Sequence, residues 1–370
     1  MAKSKKRTYG KGIERATRRI AAPRLPYEPQ DPKRFRPAIG LIGCGGVTDM
    51  HLRAYKKAGY NVVALCNPHL EKAEARRREF FPKATVYSDY RELLKRDDIE
   101  VVDIATHPEI RSNQIEESLK AGKHVLSQKP FVTDLNRGER LADLADEKGL
   151  RLAVNQNGRW APHFSYIRHA VARGLVGDVQ GVHFAVQWNH DWVAGTSFDA
   201  VDQLILYDFG IHWFDMLTCV MGGKCPRLVH ASTRRAAGQR AKPPLLAEAM
   251  VEYDDAQASL VFEGFTKHGP SDSTSVIGSA GSIYSSGPDF DRQALTLHTA
   301  RGWSRPRLRG DWFPGGFHGA MGELLRAIEE NRQPGNDARG NLASLALCFA
   351  AARSATTGKP QSPARAVRLH

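Results

Sequence analysis

Short apolar segments alternate with charged, amphipathic segments along the first 155 residues of the chain. Strand-like apolar runs occupy residues 38–42, 61–66, 101–105, 124–126 and 152–154, and helix-like segments occupy about 48–58, 70–80, 111–121 and 134–148. Strands that alternate with helices in this way are typical of a parallel sheet covered by helices on both faces. The pattern therefore predicts a doubly wound α/β domain over residues 38–155.

The pattern changes after residue 156. Helices are predicted near 163–173 and 203–221, strand-like runs at 182–188, 227–232, 247–253, 258–263 and 273–277, and closing helices at about 317–330 and 338–355. These strands alternate apolar and polar positions, as an antiparallel sheet with one solvated face does. We therefore expect a second α+β domain over residues 156–370 with an open, mostly antiparallel sheet, and two domains suit a chain of 370 residues.

The net charge of +13 is unevenly distributed. Residues 1–37 form a Pro-rich N-terminal arm with twelve Lys and Arg against three Asp and Glu, so nine of the net charges lie there. Such an arm can bind a polyanion through counterion release, lie over a neighbouring subunit, or remain a solvated tail. No recognised nucleic-acid-binding module follows it. We therefore prefer an arm that embraces a second subunit, and nucleic acid is an unlikely partner.

Few features of the sequence bear on the cellular location of the protein. No apolar run approaches the roughly 18 residues of a membrane span, and the basic N-terminus has no apolar segment behind it. The five cysteines are scattered and lack a C-x-x-C pair, which argues against a disulfide framework and against a metal site. These features predict a reducing, cytoplasmic location and no contact with a membrane.

A glycine-rich turn follows the first strand. Gly43 and Gly45, with Thr48 at the third position of the motif, lie between that strand and the next helix. In this context Gly43 permits a tight turn, Gly45 lets the backbone approach a pyrophosphate, and the helix N-terminus offers free N–H groups. A plain strand-to-helix turn is the alternative. We favour a dinucleotide site formed by Gly43, Gly45, Gly46, Val47 and Thr48.

The end of the second strand bears on the choice of dinucleotide. An acidic residue there would hold the ribose 2′-hydroxyl of NAD, and this chain has Asn67. An asparagine can bond the hydroxyl but does not repel a 2′-phosphate. The arginines at 76–78 are expected to lie too far along the next helix to reach that phosphate. NAD is therefore preferred, and NADP stays possible.

Two further segments carry acid–base groups. Lys129 ends a strand before Pro130, at the sheet edge where ligands of such folds bind. Asp208 and His212 are i,i+4 on a predicted helix, with Asp215 one turn further. A histidine can move a hydroxyl proton near neutral pH, and we expect Asp208 to orient it and to favour its charged form. The glycine between them, Gly210, indicates a close approach of a ring or of backbone.

Several motifs together resemble one family. They are Gly43-Cys44-Gly45-Gly46 followed by His51; Ala121-Gly122-Lys123-His124-Val125 leading to Lys129-Pro130; Asn155 to Arg159 with Pro162; Asp208-x-Gly210-x-His212-x-x-Asp215; and a closing pattern from Phe317 to Gly358. Over roughly residues 38–360 the chain resembles the glucose–fructose oxidoreductase, inositol dehydrogenase and rhizopine-catabolism (Gfo/Idh/MocA) oxidoreductases.

The resemblance implies a catalytic set of Lys129, Asp208 and His212, with hydride transfer to a nicotinamide. It also implies a cis Lys129–Pro130 bond, a substrate site on the inner side of the second sheet, and oligomers (dimer or tetramer) built with its outer face. The remaining residues that we expect to line the cofactor are Thr106, His107, Gln128 and Lys129. The chain departs from the family in two places, since Gln128 replaces the usual Glu and Arg111 stands where relatives often carry His.

Aromatic and polar residues near the predicted strand ends suggest the substrate. We expect it to contact Lys129, Asn157, Arg159, Trp160, Trp188, Asp208 and His212. Aromatic faces beside polar groups suit sugar rings. The chain is therefore predicted to be an NAD(P)-dependent oxidoreductase of a sugar, glycoside or cyclitol. A redox-neutral glycosidase or sugar–sugar oxidoreductase that retains its cofactor is one alternative, and a non-enzymatic sugar- or dinucleotide-sensing regulator is another.

Overall fold

The computed structural model describes residues 18–369, and its first domain matches the predicted alternation. The elements are β1 Ala38–Ile42, α1 Thr48–Ala58, β2 Asn61–Cys66, α2 Leu70–Phe80, β3 Thr85–Tyr87, α3 Tyr90–Leu94, β4 Ile99–Ile104, α4 Pro108–Lys120, β5 His124–Gln128, α5 Leu135–Glu147 and β6 Leu152–Asn155. The sequence pattern missed only the short β3 and α3. The six strands are parallel, in the order β3-β2-β1-β4-β5-β6.

This strand order decides where a ligand can lie. The chain winds from β1 towards β3 on one side and from β4 towards β6 on the other, so the direction of winding reverses between β1 and β4. A crevice opens outside the carboxyl ends of the strands at such a point. The strands are apolar because helices cover both faces: Ile39, Leu41, Val101, Val102 and Leu126 are all fully buried.

The second domain contains a larger sheet. Its elements are α6 Pro162–Ala172, β7 Val179–Gln187, α7 Ile211–Met221, β8 Leu228–Arg234, β9 Leu246–Glu252, β10 Gln257–Glu263, β11 Ser271–Gly278, β12 Gly281–Gly287, β13 Ala294–Thr299, β14 Gly302–Ser304, α8 Gly315–Glu329 and α9 Ala338–Thr357. The strand order is β14-β13-β12-β11-β7-β10-β9-β8, antiparallel except for the β7–β10 pair. An open, mostly antiparallel sheet was predicted, and this expectation is confirmed.

The sequence pattern missed β12, β13 and β14. Much of β12 consists of serine and glycine (Gly281-Ser282-Ile283-Tyr284-Ser285-Ser286-Gly287), and β14 has three residues. Short, polar segments such as β12 and β14 give a weak periodic signal. In β13 the buried Leu295 and Leu297 do alternate with less buried residues, but the sequence-based prediction does not include that strand.

The inner face of this sheet forms the core of the domain. Alternate side chains such as Phe184, Phe262 and Val276 are buried beneath the helices, together with Trp213 and Phe214 of α7. In the part of the chain that the structure describes, no helix covers the opposite face. The helix α7, which carries the predicted histidine, is therefore held between its own sheet and α9.

The described part of the N-terminal arm lies on its own chain. Arg19 pairs with Trp303 beside β13 and β14, and the Asp31 carboxylate accepts a hydrogen bond of 2.5 Å from Tyr60 at the start of β2. The Glu329 carboxylate at the end of α8 accepts hydrogen bonds from the main-chain N–H groups of residues 33–35. Residues 18–37 thus strap the second sheet to the first domain. The predicted embrace of a neighbour also involves residues 1–17, which lie outside the described residues.

From residue 18 to residue 369, no helix is both long and apolar enough to cross a membrane.

Candidate active site

The loop after β1 turns at Gly43, whose φ of +98° lies in the left-handed region that favours glycine. Its N–H donates to the carbonyl oxygen of Cys66 at 2.8 Å, and an added Cβ would lie 2.8 Å from the carbonyl oxygen of Ala105. The buried hydroxyl of Thr48 donates to the Gly43 carbonyl oxygen at 3.0 Å. Thr48 therefore closes the loop from inside, which explains why a β-branched residue suits the third position of the motif.

The outer surface of this loop is exposed to solvent. Gly45 and Gly46 are exposed, and an added Cβ on either would meet no atom within 4 Å. Val47 is 37% exposed, and α1 begins at Thr48 without a side-chain cap. Uncapped N–H groups at a helix N-terminus bind phosphate well. These residues fit the pyrophosphate of a dinucleotide, as the sequence predicts.

An arginine of α2 contacts the glycine loop. Arg76 of α2 donates to the Gly45 carbonyl oxygen at 3.3 Å and pairs with Asp49 of α1 at 3.0 Å. Arg76 reaches the glycine loop because α2 packs beside α1, and whether it reaches a 2′-phosphate stays a prediction. The Asn67 side chain follows β2 as predicted, and its Oδ1 accepts the main-chain N–H of His69 at 2.9 Å. The choice between NAD and NADP stays a prediction.

Three other predicted cofactor residues lie at the ends of β4 and β5. Thr106 donates its hydroxyl hydrogen to Gln114 at 2.5 Å, and His107 immediately precedes α4 in extended backbone. The Gln128 side chain accepts the N–H of Lys129 at 2.9 Å. Since β4 and β5 are neighbours in the sheet, these residues share the crevice edge with the glycine loop. Their contact with a cofactor stays a prediction.

The two domains meet at Lys129 and Asp208. The Lys129 Nζ donates to the Asp208 carbonyl oxygen at 2.8 Å and lies 3.3 Å from its carboxylate Oδ1. The side chains are 15% and 27% exposed, respectively, so a small molecule can still reach them. The Lys129–Pro130 bond is cis, as the resemblance implies.

His212 lies in the same region but in a different environment. Burial, reinforced by the Lys129 ammonium, holds the pKa of His212 well below its usual range. Its Nδ1 has no hydrogen-bond partner among the described residues, and its ring meets that of Trp312 edge to face at 5.3 Å between centroids. The expected charged imidazole is therefore wrong, because a buried ring beside an ammonium is more stable when neutral. A neutral imidazole can accept a proton.

The expected helical relationship between Asp208 and His212 is also wrong. Residues Ile205–Phe209 form a π-helical segment, and α7 begins only at Ile211. The N–H of Gly210 reaches the carbonyl oxygen of Ile205 at 2.9 Å, and an added Cβ on Gly210 would lie 2.8 Å from the Leu206 carbonyl oxygen. Gly210 thus permits the close backbone approach that the sequence indicates. The extra residue in this turn changes the helical register, and Asp208 pairs with Lys129; no hydrogen bond joins it to His212 in the described chain.

Two of the predicted substrate residues, Arg159 and Trp160, are buried and pack against other residues of the protein. Arg159 Nε and Nη2 lie 2.6 and 2.7 Å from the Asp215 carboxylate, and both side chains are buried. Trp160 is 9% exposed and lies under the guanidinium of Arg168. Asp215 therefore does not share a site with His212. A buried, fully engaged pair of this kind fixes the start of the second domain, so the geometry argues against substrate contact by Arg159 and Trp160.

Asn157 and Trp188 lie nearer the reacting groups. Asn157 Oδ1 accepts the indole N–H of Trp312 at 2.6 Å, and Trp312 also backs His212. Trp188 meets Phe209 at 4.9 Å and Phe290 at 4.7 Å between ring centroids. An aromatic wall (Trp188, Phe209, Trp213, Phe290 and Trp312) thus borders the polar groups.

Trp312 had no clear signal in the sequence, because it follows β14 in an irregular segment and no motif marks it. His190, in the loop after β7, contacts Phe209 with tilted rings whose centroids are 4.3 Å apart. Burial lowers the pKa of His190 to about 4, and both Asp208 and Lys129 influence it, so its imidazole lies beside the ion pair. Within residues 18–369, no group of three or more His, Cys, Asp and Glu side chains is arranged to hold a metal ion.

Comparisons with known proteins agree with this geometry. Residues 38–156 match the model of the GFO/IDH/MocA oxidoreductase family with an NAD-binding Rossmann fold, and residues 164–284 match the GFO/IDH/MocA C-terminal domain. Among solved structures, an oxidoreductase from Agrobacterium radiobacter in complex with NAD+, L-tartaric acid and magnesium superposes with a TM-score of 0.79 at 20% identity. That match covers 89% of this chain and 99% of the other.

Curated relatives include two named dehydrogenases. D-apiose dehydrogenase of Paraburkholderia graminis is 29% identical over 55% of this chain and 53% of its own length. Inositol 2-dehydrogenase of Rhizobium meliloti is 25% identical over 85% of this chain and 96% of its own length. For several curated relatives the match spans about half of their length.

Proposed function

The chain belongs to the Gfo/Idh/MocA family of NAD-binding oxidoreductases, and from this premise we propose that it transfers a hydride between NAD and a CH–OH carbon of a sugar, glycoside or cyclitol. One observation carries the proposal: an ammonium (Lys129) and a neutral, buried imidazole (His212) lie together at the carboxyl edge of a dinucleotide-binding sheet. Oxidation of a hydroxyl needs a group that polarises its oxygen and a group that takes its proton.

The roles follow from the contacts. In the oxidative direction His212 accepts the hydroxyl proton, and the Lys129 ammonium donates a hydrogen bond to the oxygen as negative charge develops there. Asp208 holds Lys129 rather than His212, through its carbonyl oxygen and its carboxylate. The bare loop at 43–48 holds the pyrophosphate of the dinucleotide. When bound, NAD supplies the nicotinamide ring that takes the hydride.

A neutral ring-shaped polyol suits the lining. Trp188 and Phe209 offer apolar faces, and His190 and the partly exposed Asp208 offer polar atoms beside them. Stacking of C–H faces on aromatic rings combined with hydrogen bonds to hydroxyls is how proteins commonly bind sugars. The names of two relatives, D-apiose and inositol dehydrogenase, belong to the same class of substrate.

The second sheet also supports a homo-oligomer, with a second copy of the chain on its outer face. Between residues 18 and 369 no helix covers that face, Met250 and Tyr284 on it are 41% and 44% exposed, and a shallow depression of about 380 Å³ lies over β8, β9 and β10. Light scattering should give a mass above that of one chain, and Met250→Lys should lower it. A monomer at all concentrations would refute this part of the proposal.

We also place the protein in the cytoplasm. The five cysteines are free, and Cys44 and Cys66 are buried, with burial raising the pKa of each to about 12. Unpaired thiols of low reactivity are typical of a reducing compartment. Recovery of the native protein in a periplasmic or secreted fraction would contradict this location.

A panel assay tests the main proposal. Purified protein is mixed with NAD and with individual sugars, glycosides and cyclitols, including D-apiose and myo-inositol, and NADH formation is followed by absorbance. At least one member should be oxidised, and NADP should replace NAD poorly, since the Arg76 charge is already paired with Asp49. If the protein binds neither dinucleotide, the proposal fails. If the purified protein released a dinucleotide only on denaturation, the result would favour a redox-neutral glycosidase or sugar–sugar oxidoreductase that retains its cofactor.

A further inference from the structure

Arg111 of α4 is a buried cation that bonds only to main-chain oxygens. Its side chain is 2% exposed. Nε donates to the Thr106 carbonyl oxygen at 2.9 Å, Nη2 donates to the same oxygen, and Nη1 donates to the carbonyl oxygens of Gln128, at 2.5 Å, and Pro130. No carboxylate pairs with it among the described residues. An unpaired charge in such a position is unusual and calls for a reason.

These three oxygens belong to two different strand ends. Thr106 follows β4, whereas Gln128 and Pro130 stand immediately before and after Lys129 at the end of β5. The guanidinium is planar, and its donors point in fixed directions. It therefore fixes the main chain on both sides of Lys129 relative to the neighbouring strand, and the direction of the Lys129 side chain follows from that main chain.

The charge of Arg111 also helps to hold the Lys129–Asp208 pair. Burial lowers the pKa of Arg111 to about 10, and the neighbouring Asp208 works against that lowering, so the guanidinium stays charged near neutral pH. The positive charge of Arg111 attracts the Asp208 side chain, which lies 3.3 Å from the Lys129 ammonium. Arg111 thus acts on the main chain beside Lys129 and on the partner of Lys129.

We propose that Arg111 is a positioning residue, whose buried guanidinium ties the ends of β4 and β5 together and so aims the Lys129 ammonium at Asp208 and the substrate oxygen. The catalytic consequence rests on the proposed function, whereas the effect on Lys129 rests on the geometry alone.

An NMR experiment on the whole protein tests the geometry without any substrate. Lysines are reductively dimethylated with isotope-labelled formaldehyde, and the Lys129 resonance is assigned by its loss in Lys129→Arg. We compare Arg111→Gln and Arg111→Lys with the control Arg151→Gln. Arg151 also donates to a main-chain oxygen (Arg332, 2.8 Å), but it precedes β6 at the amino ends of the strands, away from Lys129. Circular dichroism shows which variants fold.

The Lys129 resonance should stand apart from solvent-exposed lysines in the wild type and in Arg151→Gln. In Arg111→Gln its chemical shift should move to that of solvent-exposed lysines. In Arg111→Lys, which retains the charge but not the planar set of donors, the chemical shift should lie between those of the wild type and Arg111→Gln. An unchanged resonance in folded Arg111→Gln overturns the proposal, and if that variant does not fold, an unchanged resonance in Arg111→Lys does so.

A kinetic comparison then separates positioning from general stability. With a substrate of the wild type, Arg111→Gln should lower kcat by at least about 10-fold, with NADH affinity and KM near wild type and with partial rescue in Arg111→Lys. Equal kcat in Arg111→Gln and Arg151→Gln contradicts the catalytic consequence. If the wild type transfers no hydride, the proposed function fails, and the NMR result still decides the role of Arg111.

Discussion

The Lys129 ammonium donates a 2.8 Å hydrogen bond to the main-chain carbonyl oxygen of Asp208 and lies 3.3 Å from the carboxylate of the same residue. Lys129 belongs to the dinucleotide-binding sheet, and Asp208 belongs to the π-helical segment of the second domain. The site is therefore complete only when the two domains pack as they do here. The pairing also leaves His212 without a carboxylate to charge it, which suits a proton acceptor.

Removing either reacting group should abolish most of the turnover. We expect Lys129→Ala and His212→Ala each to lower kcat by at least about 100-fold, since a correctly placed acid or base contributes about 10²–10⁴-fold. NADH binding, measured by fluorescence titration, should persist in both. The exposed Lys148→Ala serves as the control and should behave as wild type. Near-normal turnover in both alanine variants would refute the assignment.

Asp208→Asn should have a milder effect than Lys129→Ala. The main-chain oxygen that holds Lys129 Nζ remains in this variant, and only the carboxylate is lost. A hydrogen bond to a charged group contributes about 1.5–3 kcal/mol. Because this contact is long, at 3.3 Å, we expect the lower end of that range, a fall in kcat of about 10-fold. If Asp208 instead acted on His212, the loss would equal that of His212→Ala, and steady-state kinetics of the two variants distinguishes the cases.

Two loop glycines should respond differently to alanine. Gly45→Ala adds a methyl group to open space, so thermal stability should be unchanged while dinucleotide affinity falls. Gly43→Ala combines a φ of +98° with a close approach to Ala105, so it should unfold at a lower temperature. Calorimetry and NADH titration measure the two effects. Loss of stability without loss of affinity in Gly45→Ala would show that the loop is only a turn.

Acid should destabilise the fold below about pH 6.5, the ordinary pKa of histidine. Burial lowers the pKa of His163 to about 3 and those of His124 and His190 to about 4, lowers that of His169, and holds the pKa of His212 well below its usual range. The unfolded chain then binds more protons than the folded one, so stability falls as pH falls, by up to about 1.4 kcal/mol per pH unit for each group.

Two carboxyl groups oppose this trend, since burial raises the pKa of Asp272 to about 7 and also raises that of Asp291. Their contribution improves as the pH falls from about 7, but the buried histidines outweigh them. Urea unfolding at about pH 7 and pH 5 measures the net effect. In His163→Gln the dependence should be weaker. Equal stability of the wild type at both pH values would contradict the buried, neutral histidines.

The N-terminal arm should contribute to stability more than to assembly. Deleting residues 1–37 removes the bond between Asp31 and Tyr60 and the three main-chain donors held by Glu329. We expect a lower melting temperature and an unchanged mass in light scattering, with deletion of residues 1–17 as the control. An unchanged melting temperature together with a smaller mass would favour an embrace of a neighbouring subunit.

The sequence predicts most of the first domain because its signals are local. Buried parallel strands appear as short apolar runs, and Gly43 with the following helix marks the phosphate loop before any tertiary contact is known. The resemblance correctly groups Lys129, Asp208 and His212 in one region. It does not give their pairing.

The rest depends on contacts between distant segments. A π-helical turn at Gly210 shifts the register by one residue, and periodicity alone does not reveal it. Arg159 and Asp215 pair across 56 positions, so neither could be assigned to packing from local pattern. Trp312 and Arg111 gain their roles only when the second domain and the strand ends meet around the crevice.

Single-turnover hydride transfer tests the central claim most directly. The wild type and His212→Ala are each mixed with NAD and a candidate polyol, and bound NADH is followed by rapid-mixing absorbance, which detects both a dehydrogenase and an enzyme that retains its cofactor. Our account predicts reduction by the wild type with at least one sugar, glycoside or cyclitol, and a rate at least about 100-fold lower in His212→Ala. Equal rates in the two proteins, or no reduction by a wild type that binds NADH, would contradict it.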